Sequence, residues 1–102
     1  MDEVYVEIIC RKLGDLIQGL EPGLLRLYGL LVLTTGTNTT LENVHDARSF
    51  WRLGTKLDHP YHPSLVPFSQ LDQDVQELYR EYVHAIHEVT RSLSDTEQSQ
   101  EL

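Results

Sequence analysis

Residues 22–34 read Pro-Gly-Leu-Leu-Arg-Leu-Tyr-Gly-Leu-Leu-Val-Leu-Thr, and this stretch decides the fold. Pro22 has the fixed φ that suits the first turn of a helix. From there Leu24, Leu25, Leu27, Tyr28, Leu30, Leu31, Val32 and Leu33 leave almost no polar face. A helix that is apolar all round belongs at the centre of a domain, with neighbours on most sides. Gly29 inside it costs about 1 kcal/mol relative to alanine, a loss that a close helix crossing would offset. Gly36 is the expected stop.

The segments on either side supply the neighbours. Before it, Tyr5, Ile8, Ile9, Leu13, Leu16, Ile17 and Leu20 recur at three- and four-residue steps, which predicts a helix from about Asp2 to Gly19. Asp2 and Glu3 fall in its first turn, where they complement the positive helix end. After it, Thr39 followed by Glu42 has capping-box spacing, predicting a third helix from there to about Leu53 with Gly54 beyond. Pro60, Pro63 and Pro67 hold Thr55 to Ser69 out of helix. Val75, Leu78, Tyr79, Tyr82, Val83, Ile86, Val89 and Leu93 then trace one stripe of a last helix, with Glu77, Arg80, Glu81, His84 and Glu88 pointing away. The expected fold is mainly α: a four-helix single domain over residues 1–93, with an irregular Pro-rich loop before the last helix. Residues 94–102 are polar and acidic without pattern, which predicts a disordered tail.

Composition narrows the function. Sixteen acidic against eight basic residues give a net charge of −8. That disfavours a general binder of nucleic-acid polymers, which needs a positive field. A local cation cluster can still hold a small anion, because charges are screened over roughly 10 Å. The single cysteine, Cys10, lies in an apolar run and reads as a buried thiol in a reducing compartment. No signal segment and no span-length apolar run is apparent, so a soluble, cytoplasmic chain without membrane contact is expected.

Catalytic groupings are sparse. His59 and His62, and His84 and His87, are each three apart, but the four-ligand pattern of a structural zinc site is missing. Ser49, Ser64 and Ser69 have no nucleophile-elbow context, and no glycine loop is spaced to cradle phosphate. No metal, no cofactor and no enzymatic activity are expected. The grouping that stands out is Arg48, Arg52 and Lys56, cations four apart in an acidic chain, with Trp51 beside them and Tyr61 and His62 in the loop beyond. Guanidinium groups grip phosphate oxygens bidentately, and an indole can stack a base. In the competing reading the arginines pair with Asp46, Glu42 or other carboxylates, and Trp51 is core.

Residues Glu42-Asn43-Val44-His45, Trp51-Arg52-Leu53-Gly54 and His62-Pro63-Ser64-Leu65-Val66-Pro67-Phe68 resemble the ryanodine-receptor repeat (RyR) domain, over roughly residues 41–89. The run from Leu27 to Thr34 also resembles small proteins of actinobacteria and their phages. The resemblance implies recognition of a nucleotide-derived signal and, for a stand-alone phage copy, sequestration of such a signal against host defence. On that basis the chain is expected to be a non-enzymatic module binding a small anionic, nucleotide-like ligand through Arg48, Trp51, Arg52, Lys56, Tyr61 and His62. The alternative expectation is an acidic protein–protein interaction module that docks on a host protein. A homo-oligomer is compatible with both, given the leucine content of the second helix.

Overall fold

The computed structural model describes the backbone of residues 4–55 and 65–101, and the side chains of 4–54 and 65–94. Among the described residues it contains helices and turns only: α1 (Tyr5–Leu16), α2 (Pro22–Thr34), α3 (Leu41–Thr55), the short α4 (Gln73–Glu77) and α5 (Arg80–Glu101). The fold is a mainly α, four-helix domain with α4 as an added single turn leading into α5. Single 3₁₀ turns stand at Gly36–Asn38 and Phe68–Gln70.

The leucine-rich segment occupies the expected place, with α2 touching α1, α3 and α5. Leu24, Tyr28 and Val32 are buried on it, against Ile9, Leu13 and Ile17 of α1, Val44 of α3, and Tyr79, Val83, Ile86 and Val89 around α5. Gly29 is the crossing point with α1. A Cβ built there would lie 3.4 Å from Ile9 Cγ2 and 3.5 Å from Cys10 Sγ. As expected, α2 has neighbours on most sides, and Leu30 and Leu33, at 52% and 48% exposed, mark the side that is open. Three neighbouring helices close three flanks and leave the fourth to solvent. Tyr5 and Leu16 are likewise exposed rather than part of the α1 core stripe.

The punctuation is partly displaced from its expected positions. Helix α1 ends at Leu16, and Gly19 follows with φ +86°, the left-handed conformation that reverses the chain toward Pro22. Gly36 has φ +53° and closes α2 through its 3₁₀ turn. The cap of α3 sits one residue later than the Thr39–Glu42 spacing implies. Thr40 N–H donates to Asn43 Oδ1 at 2.9 Å, and Asn43 N–H donates to Thr40 Oγ1 at 3.1 Å. Thr39 is instead buried, its hydroxyl 2.6 Å from that of Thr35 and its carbonyl accepting from His87 Nε2 at 2.9 Å. Two tertiary bonds outcompete a cap that a neighbour can supply. Gly54 lies inside α3, not beyond it.

The final stripe is also divided, with a break at Leu78–Tyr79 separating α4 from α5. At this break Tyr79 turns inward and is buried, while Leu78 is 69% exposed. Gln76 helps to fix the bend, donating through Nε2 to the carbonyls of Phe68 and Leu71 at 2.9 and 3.1 Å. Helix α5 continues through Glu101, past Ser94 where the sequence reading begins its tail. No glycine or proline stands in 94–102 to stop it.

Candidate functional site

Helix α3 lines two clefts, because its adjacent flanks carry different chemistry. On one flank the i and i+4 spacing places Arg48 and Arg52 side by side. There they line a cleft of about 350 Å³ closed by Tyr79, Tyr82 and Glu81 at the start of α5. Val75 and Leu78 complete its apolar floor from the α4 side. The bend at Leu78–Tyr79 builds this cleft, since it swings the two tyrosines toward α3.

Among the described residues no ion pair is seen at Arg48 or Arg52, whereas Arg80 Nε pairs with Glu77 Oε2 at 2.7 Å on the exposed surface. There the Arg80 hydrogen bond holds the Glu77 carboxyl below its ordinary range. The Nε of Arg52 is buried without a hydrogen-bond partner, and so is the hydroxyl of Tyr28. Buried polar groups left unpaired are uncommon and costly. Tyr28 packs its ring on Tyr82, with centroids 5.4 Å apart. Burial pushes the Tyr28 phenol up to about 12, with the Arg48 guanidinium on α3 pulling the other way without completing a well-formed bond. Burial also raises Tyr79, again opposed by the charges of Arg48 and Arg52. Both orphaned groups therefore lie around the same pair of cations.

On the other flank, His45, Ser49, Phe50 and Leu53 face Val66 and Pro67 across a cleft of about 400 Å³. His45 is 2% exposed and joins three parts of the chain. Its Nε2–H donates to the Val66 carbonyl at 2.6 Å, which leaves Nδ1 to accept from the Tyr79 hydroxyl at 2.9 Å. Its ring also lies 6.1 Å from that of Phe68. The two halves of the motif on which the RyR resemblance rests thus meet at His45. What those residues do here is architecture. Ser49 donates to its own helix at the His45 carbonyl, so no serine–histidine relay forms.

The six residues expected to bind ligand separate accordingly. Arg48 and Arg52 share the tyrosine-walled cleft. Trp51 lies on a different side of α3, half-buried against the start of α2, where a Cβ at Gly23 would approach its Nε1 to 3.2 Å. Lys56, Tyr61 and His62 lie outside the described residues. Of the histidine pairs, His59 and His62 also lie outside them, while His84 is exposed and His87 is tied to Thr39. Among the described residues no three His, Cys, Asp or Glu side chains converge as metal ligands. Among the described residues no helix is long and apolar enough to cross a membrane.

Sequence reasoning missed Tyr79, Tyr82 and Glu81 as cleft residues. Their signal was present but ambiguous: tyrosines at the border of an apolar stripe can face core with the ring edge and a cleft with the rest. In comparisons with known proteins, a family model described as a domain of unknown function (DUF7701) matches residues 4–91. No curated protein and no solved structure matches the chain.

Proposed function

The chain belongs to the DUF7701 family, whose model spans α1 to most of α5, and from the site within that span we propose that it is a non-enzymatic binding module for a small anionic, nucleotide-derived ligand. The observation that carries this reading is the pair Arg48 and Arg52, two cations without a carboxylate partner among the described residues, in one aromatic-walled cleft of an acidic chain. Partly burying a guanidinium without a counter-charge costs free energy. An anion seated between α3 and α5 would supply the missing acceptors, including one for Arg52 Nε. The half-buried ring of Tyr82 offers an apolar face for the uncharged part of the ligand, with the largely buried Tyr79 lining the cleft beside it. At about 350 Å³ the cleft falls within the roughly 300–1,000 Å³ of small-molecule sites.

Such a module acts by holding its ligand. Sequestration of a nucleotide signal, as the RyR resemblance implies, needs nothing further from the chain. The ligand contacts move accordingly: Tyr79 and Tyr82 replace Trp51 as the aromatic walls.

The test is thermal unfolding of the protein against nucleotides, cyclic dinucleotides and ADP-ribose derivatives, in parallel with Arg48→Met/Arg52→Met. A ligand at 100 times its Kd stabilises the fold by about 2.7 kcal/mol, a shift of several degrees in a domain of this size. A shift confined to the unsubstituted protein supports the reading. An equal shift in the double variant, or none with any ligand, refutes it and turns attention to a protein partner of the acidic surface.

A further inference from the structure

Away from the arginine cleft, α1 and α2 leave a groove of about 480 Å³ between them. Val6 and Cys10, one turn apart on α1, line it together with Leu25 of α2, and the two helices lie close where Gly29 meets Ile9 and Cys10. The apolar surface continues past the groove. Arg26 also lines it, and Leu30 and Leu33 follow at four and seven residues, on the same side of α2. Both leucines are about half exposed, as is Val4 just before α1, and Val6 is 39% exposed. A single exposed leucine is ordinary, whereas apolar side chains gathered on two adjoining helices mark a contact surface.

The charges on this surface indicate what fits it. Glu7 on α1 and Arg26 on α2 both line the groove, and both are exposed. We infer that this face is the interface of a homodimer in which Glu7 of each copy meets Arg26 of the other. A two-fold axis running along the groove lays α1 of one copy over α2 of the second, which sets each charge against its opposite twice over. The apolar side chains then close on their own counterparts as the four helices pack across the axis. A surface with a charge of each sign complements itself. A basic partner, the kind that a net charge of −8 attracts, would gain Glu7 but meet like charge at Arg26.

The extent of the face sets the affinity. Helices of 12 and 13 residues are about 18–20 Å long and about 10 Å wide, so the pair covers about 400 Å² in projection. That belongs with weak, reversible contacts and falls short of permanent ones. A dissociation constant of about 10–100 μM is expected.

Sedimentation equilibrium from about 10 μM to about 1 mM measures the association, and exchange of charges assigns the face. Glu7→Arg and Arg26→Glu lie at exposed positions that spare the fold, and each should weaken self-association about ten-fold. Mixed in equal amounts, the two variants should associate as tightly as the unsubstituted protein, because each supplies the charges that the other lacks. Cys10 is the chain's one cysteine. A bismaleimide should therefore join two copies through the groove in the unsubstituted protein and in the mixture, and far less in either variant alone. A protein that stays monomeric up to about 1 mM overturns the inference and leaves the face to a partner of another kind. A dimer that neither variant weakens, or that the mixture fails to restore, overturns it as well, since its contact then lies on another face.

Discussion

Replacing Arg52 by methionine should make the ligand-free protein more stable, although it deletes a residue assigned to the site. Methionine keeps an unbranched apolar stem of similar reach and removes the buried Nε that lacks a partner. An unsatisfied buried donor costs about 1–3 kcal/mol, more when charged. Two terms oppose the gain. The chain's net charge goes from −8 to −9, and a cation at the surface of an acidic protein contributes a few tenths of a kcal/mol by long-range attraction. Some contact of the guanidinium with the cleft walls is also lost. The balance is a stabilisation of about 1 kcal/mol, or a Tm higher by about 4–8 °C. Urea unfolding monitored by circular dichroism measures it, with the slope of the transition checking that the denatured state is unchanged. A loss of stability of about 1 kcal/mol or more would show that Arg52 is satisfied within the fold. Arg52 would then need no acceptor from a ligand.

Three further outcomes follow from other parts of the molecule. His45→Leu should cost about 2–4 kcal/mol, since it strands the Val66 carbonyl and the Tyr79 hydroxyl together; denaturant unfolding that shifts by less than half of this would deny His45 its joining role. Gly29→Ala should be neutral or stabilising by up to about 1 kcal/mol, because its methyl meets Ile9 and Cys10 at ordinary contact distance while helix propensity improves. Gly29→Leu at the same crossing should lower the Tm. The Tyr28 phenol, pushed up to about 12 by burial, links stability to alkaline pH. Its folded value is raised, so the contribution is complete below the unfolded value of about 10 and disappears as pH climbs from there through about 12, a loss of roughly 2–3 kcal/mol. Unfolding curves at pH 9, 10 and 11 should show that decline, and Tyr28→Phe should flatten it. An equally steep decline in Tyr28→Phe would place the titrating group elsewhere.

The architecture is legible where residues leave no second option. Pro22 and the leucines after it specify a central helix, and the space at Gly29 is filled by α1 as its cost in a bare helix implies. Legibility fails where neighbours compete. Thr39 and Thr40 both have the chemistry to cap α3, and only the position of Thr35 and His87 assigns Thr39 to the interior. The bend at Leu78–Tyr79 carries no proline or glycine, and depends on bonds that Gln76 makes to the turn at Phe68–Gln70.

The site divides in the same way. Spacing alone places Arg48 beside Arg52 on one helix face. That their neighbours are Tyr79, Tyr82 and Glu81 instead of Trp51 depends on the rotation of α3 against α2, where Trp51 fills the space that Gly23 leaves open. The histidine of the Glu-Asn-x-His motif shows the opposite lesson. His45 is a chemically versatile side chain, yet both of its ring nitrogens are used in holding α3 to the rest of the chain.

In the proposed reading Arg52 Nε, unpaired among the described residues, takes its acceptor from a ligand, and the Arg52 Nε–Hε resonance of uniformly ¹⁵N-labelled protein reports on that bond directly. Its assignment is secured by the loss of one peak in Arg52→Met. Titration with adenosine 5′-monophosphate should move this peak downfield and slow its exchange with water as a charge-assisted hydrogen bond forms. An Arg52 peak that stays in place while the nucleotide binds elsewhere, or one already downfield and protected before any nucleotide is added, would contradict the account.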